Sequence, residues 1–163
     1  SAFTDSKLGL AQAAVTAVDL ALTDPATSTS GCEAEDFVGF PAGNIALVQR
    51  GTCPFFDKAA NALAAGASAV LIGNQGSAPD RMGTFAGTVA PGVDIVAIPI
   101  SFPLLQELAA IPDLVMRVDT RKDDAITALA LPGVEWHLAE EFVPLRGMIS
   151  SDGTVTPFES TDD

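Results

Sequence analysis

The chain has 163 residues, 48% of them hydrophobic, with 21 acidic residues against 8 basic ones and a formal net charge of −13. That length fits one domain with enough core to fold, and the apolar content excludes a disordered chain. The negative charge argues against nucleic acid as a partner, and no apolar run approaches the roughly 20 residues needed for membrane insertion as a helix.

The opening SAFTDSKLGL lacks the basic start and apolar block of a secretory leader. Residues 8–22, LGLAQAAVTAVDLAL, fit either helix or strand. The alternation of Val15, Ala17 and Asp19 against Thr16, Val18 and Leu20 favours a strand over 14–22. TDPATSTSG then reads as a polar loop. NIALVQRG (44–51) is a β-run entered through the Pro41-Ala42-Gly43 turn.

Pro54 suits the first turn of a helix, and FFDKAANALAA (55–65) has helical composition. Phe55, Ala59, Ala62 and Leu63 fall on one apolar stripe, and Gly66 ends the helix. SAVLIGN (68–74) is almost wholly apolar, as a strand buried on both faces should be. Residues 44–74 therefore read as a β–α–β unit. After a Gly- and Pro-rich loop over 75–93 come a strand (94–101), a helix begun by Pro103 (103–111) and another strand (113–119), which suggests a second such unit.

Past Thr120 the pattern weakens. AITALAL suggests an added strand, GVEWHLAEEF fits helix or strand, and Ser151-Asp152-Gly153 reads as a hairpin turn before an acidic end that frays.

Both cysteines, Cys32 and Cys53, flank the β-run 44–51. The readings are a disulfide, two free thiols, or a metal or catalytic role. A disulfide is favoured: there is no C-x-x-C, and the single histidine leaves too few soft ligands for a structural zinc site. A disulfide in turn implies an oxidising, extracellular or cell-envelope compartment.

Together the residues GC…DF…GNIALVQRGTCPFFDKAANALAAGASAVLIGN resemble the core of the protease-associated, or PA, domain family. The matching positions are Cys32, Asp36-Phe37, Ile45–Cys53, Phe55 or Phe56, Lys58, Ala64–Ala67, Ala69–Asn74 and Ile98–Ser101. The resemblance implies an α+β fold, a PA-like open barrel or sandwich of strands with short flanking helices around a β–α–β core. It covers 31–119, with 1–30 leading in and 120–163 as an extension that completes the sheet. It also implies an accessory role without catalytic residues, in proteins such as subtilisin-like proteases, zinc aminopeptidases and sorting receptors. The chain is then expected to govern substrate access or to bind peptide or protein partners, including the catalytic domain of a parent peptidase. The alternative is a free-standing PA protein acting in trans. Gly51 is expected to permit a sharp exit from its strand, and Lys58 to shield an edge or pair with an acid.

A chemical alternative is a small metal-dependent hydrolase built on His137 with Glu135, Glu140 and Glu141. A polar helix or strand face explains that cluster better, since no H-E-x-x-H occurs. Neither a G-x-S-x-G elbow nor a Walker loop is present. Asp123-Asp124 and Asp162-Asp163 raise the question of calcium, but no EF-hand spacing accompanies them, so no cofactor or metal is expected. The long loop 75–93 is the better binding candidate, with Arg81, Met82 and Phe85 as contacts for an extended peptide.

Overall fold

A computed structural model of the chain describes residues 2–121, 125–130, 147–149 and 155–157. Among the described residues are eight strands and two α-helices: β1 (Leu10–Ala17), β2 (Ile45–Gln49), α1 (Phe55–Ala64), β3 (Ala69–Gly73), β4 (Val96–Ile100), α2 (Phe102–Ala110), β5 (Val115–Asp119), β6 (Ala125–Ala130), β7 (Gly147–Ile149) and β8 (Val155–Pro157). Six strands form one sheet in the order β4-β3-β2-β1-β5-β6. Strands β1 to β4 run parallel, while β5 pairs antiparallel with both β1 and β6. Strands β7 and β8 pair as a separate antiparallel hairpin.

Strands β2, β3 and β4 are buried at every residue, which explains their unbroken apolar sequence. Alternate side chains serve opposite faces. Ala46, Val48, Val70, Ile72 and Ala97 pack with Ala59 and Ala62 of α1. Ile45, Leu47, Leu71, Ile98 and Ile100 pack with Phe102, Leu105 and Leu108 of α2. One helix thus covers each face, and the α+β architecture is that of the PA-like fold.

The helix ends follow from local chemistry. Helix α1 closes with Gly66 at φ +82°, its N–H bonding the Leu63 carbonyl while the Ala67 N–H reaches Ala62. This is the Schellman arrangement, and glycine meets its left-handed requirement at little steric cost. Helix α2 opens on Ser101, whose side chain accepts from the Leu104 N–H, with Pro103 in its first turn.

Four expectations are corrected. The first strand spans Leu10–Ala17 rather than 14–22, because residues 10–14 pair with β5 and Asp19 turns the chain away at φ +45°. The second β–α–β unit does not form. After α2 the chain turns at Asp113 (φ +53°), and β5 joins the far side of β1 running antiparallel to it. On α1, Leu63 lies 39% exposed and Lys58 is fully buried instead. Gly51 has no unusual φ; what it provides is room for another segment, described below.

Candidate ligand-binding surface

Because β2, β3 and β4 are parallel, their carboxyl ends lie along one edge of the sheet, where open α/β sheets commonly bind ligands. The chain leaves that edge through Arg50-Gly51-Thr52-Cys53 after β2, Asn74-Gln75 after β3 and Ser101 after β4. A buried polar network secures the loops there. The Gln49 side chain accepts from the Ala21 N–H and donates to the Gln75 carbonyl, each at 2.8 Å. The Ser30 hydroxyl donates to the Val18 carbonyl at 2.6 Å and accepts from the Gln49 N–H at 2.9 Å. Asn74 accepts from the Gln75 N–H and donates to the Gly83 carbonyl at 2.8 Å. These bonds satisfy Gln49, Ser30 and Asn74 side chains that burial would otherwise penalise.

Cys32 and Cys53 are joined by a disulfide with Cα atoms 5.7 Å apart. The bridge ties the loop after β1 to the corner between β2 and α1. Gly51 lies in that corner, and a Cβ there would run into the Ser28 carbonyl oxygen. Beneath the bridge, the Lys58 ammonium donates to the Ser30 carbonyl and lies 3.5 Å from Cys32 Sγ. Lys58 therefore neither shields an edge nor forms an ion pair with a described acid. Burial pushes its ammonium down to about 8, opposed by the charges of Asp36 and Asp57.

At the surface of this edge stands Arg50. Its guanidinium carbon lies 5.5 Å from the Phe55 ring centre and 5.2 Å from that of Phe85, within cation–π range, and Asn74 Oδ1 is 3.4 Å from one of its nitrogens. The two rings and Phe3 form a mutually packed triad with centre distances of 5.1, 5.4 and 5.7 Å. Burial, then the neighbouring Arg81, weakens the hold of Arg50 on its proton, while Asp80 strengthens it. Arg81 pairs with Asp80 at 3.6 Å. Among the described residues no carboxylate forms an ion pair with Arg50.

The loop residues expected to contact a peptide thus divide. Arg81 and Met82 stand at the rim, Met82 being 37% exposed. Phe85 is half-buried in the triad and supports Arg50 from below. Sequence reasoning missed Arg50, Gln49 and Asn74: Gln49 ends an apolar strand and Arg50 and Asn74 directly follow one, but only the parallel pairing of β2, β3 and β4 brings these positions to one edge. His137, Glu135, Glu140, Glu141, Asp123-Asp124 and Asp162-Asp163 lie outside the described residues. Among the described residues no three His, Cys, Asp or Glu side chains converge as metal ligands. No described helix is long and apolar enough to cross a membrane.

The family model for the PA domain matches residues 14–108, more than half of the chain. The chain belongs to the PA-domain family. Over 97 residues it is 54% identical to an aminopeptidase of Pseudomonas aeruginosa, found in strains UCBPP-PA14 and PAO1 alike. That match covers 60% of this chain but only 18% of the aminopeptidase. Among solved structures, an aminopeptidase from Aneurinibacillus sp. strain AM-1 aligns with 79% of this chain and 29% of its own length, at 26% identity and a TM-score of 0.56. A zinc aminopeptidase from Bacillus subtilis shares the fold over 68% of this chain and 24% of its own, at 24% identity and a TM-score of 0.54.

Proposed function

We propose that this chain is the non-catalytic PA domain of a secreted aminopeptidase, and that its Arg50 edge holds peptide on the way to or from a catalytic domain elsewhere in the parent protein. The observation that carries this reading is the 54% identity to an aminopeptidase of which the chain spans 18%. The surface supports it. In a chain of net charge −13, Arg50 and Arg81 bring two guanidiniums close to one another beside an aromatic triad. A peptide carboxylate, terminal or side-chain, suits the guanidiniums, and its neighbouring apolar side chains suit Met82 and the edges of the rings. The Cys32–Cys53 disulfide favours an oxidising compartment outside the cytoplasm.

Calorimetric titration with an unstructured peptide ending in a free carboxylate tests the reading. Arg50→Ala is expected to weaken binding about tenfold, the loss of one charge-assisted contact, with little change in melting temperature. Equal affinity for wild type and variant would remove Arg50 from the site. The same chain, with or without added zinc, is expected to leave aminoacyl and peptide substrates uncleaved; activity abolished by His137→Ala would establish the hydrolase alternative instead.

A further inference from the structure

Lys58 presents a problem that the peptide-binding role does not absorb. Its side chain is fully buried, yet no described carboxylate bonds to it; its contacts are the Ser30 carbonyl and Cys32 Sγ. Asp57 and Asp36 act on it only through space. A buried ammonium without a bonded anion is costly, and the neighbour best placed to become an anion is a bridged sulfur. The two sulfurs are also unequal in surroundings. Both cysteines are half-buried, and the difference is one of charge: Cys32 Sγ lies 3.5 Å from the Lys58 ammonium as well as 4.0 Å from the Thr52 hydroxyl, whereas Cys53 lies between the exposed Thr52 and Pro54.

We propose that the Cys32–Cys53 bridge is a modification site for low-molecular-weight thiols, opened in one direction because Lys58 receives the departing Cys32 thiolate. An incoming thiolate attacks Cys53 Sγ. A new sulfur–sulfur bond forms there as the Cys53–Cys32 bond breaks, and the bonding pair leaves on Cys32 Sγ. The small thiol is thereby oxidised into a mixed disulfide and Cys32 is reduced, with no other oxidant needed. Exchange is faster when the leaving sulfur is the better-stabilised thiolate, and the nearby ammonium supplies that stabilisation. The reverse attack of Cys32 on the mixed disulfide expels the small thiol and restores the bridge. Held in the open form, the corner that carries Arg50 loses its covalent tie to the loop after β1 and keeps only hydrogen bonds such as that from the Thr52 N–H to the Ser28 carbonyl.

The test exposes the full 163-residue chain briefly to reduced glutathione at pH 7, quenches with acid and maps the adduct by peptide mass spectrometry. Glutathione on Cys53 is expected to exceed that on Cys32 about tenfold, with Cys32 recovered as the free thiol. In Lys58→Met, opening is expected to slow about tenfold and the bias to shrink. An even distribution in the wild type, a preference for Cys32, or an unchanged rate in a folded Lys58→Met protein overturns the proposal. Should Lys58→Met fail to fold, the wild-type distribution decides alone, and alkylation of Cys32 in Cys53→Ser gives a second reading. Faster alkylation there at pH 7 than of an ordinary cysteine supports the proposal, and an ordinary rate contradicts it. Neither measurement depends on peptide binding, so this inference and the proposed function can fail separately.

Discussion

Gly51→Ala is expected to destabilise the fold by about 3 kcal/mol, a large effect for one added methyl group. The new Cβ would occupy the space of the Ser28 carbonyl oxygen and lie 2.7 Å from the Ser28 carbonyl carbon. The obstacle is backbone, so no side-chain rotation relieves it. Nor is that backbone free to retreat: its carbonyl accepts from the Thr52 N–H, and the chain just beyond it is held by Ser30 and the disulfide. Gly83→Ala is the matched control, since a Cβ there meets nothing within 4 Å. It is expected to fall within about 0.5 kcal/mol of wild type. Urea unfolding of both variants at pH 7 measures the difference, and equal midpoints would mean that the corner is looser than the structure has it.

Lys58 sets the second large effect, and it appears as a dependence on pH. In the folded chain burial lowers its ammonium from 10.5 to about 8. Between those values the unfolded chain holds a proton that the folded chain has released, so stability rises with pH across this window. Below it both states carry the charge, and the folded state bears the cost of burying it. A shift of this size corresponds to about 3 kcal/mol between the two ends. The chain has no tyrosine and its cysteines are bonded, so few other groups titrate in the same range. Wild-type unfolding free energy is expected to climb from pH 8 to 10, while Lys58→Met stays flat and matches or exceeds wild type at pH 7. Parallel profiles for the two proteins would show that the ammonium is hydrated.

The unit from β2 through α1 to β3 was legible because its signals are local. Unbroken apolar runs mark strands covered on both faces, and Gly66 marks the end of the helix. Direction and partner choice were less legible. Nothing within residues 113–119 states that the strand crosses to β1 and runs against it, since that depends on pairing with residues 10–14. Lys58 was misread for a related reason: a lysine on a short helix is ordinarily solvated, and only the Ser30 carbonyl and Cys32 sulfur explain its position. At the candidate site, Arg81 and Met82 could be read from loop length and composition. The support that Phe85 gives Arg50 could not, because it depends on Phe3 and Phe55, which are distant in sequence. Arg50 itself became visible as a candidate only once three parallel strands placed their ends together.

Amide shift mapping of the isotopically labelled chain during titration with an unstructured peptide addresses the central claim most directly. The account predicts perturbations concentrated in residues 50–56 and 74–86, diminished in Arg50→Ala, with the peptide recovered intact. Perturbations centred elsewhere, such as the open concavity formed by Thr16, Val18, Asp36, Val38 and Phe40, would contradict it, as would cleavage of the peptide by the chain alone.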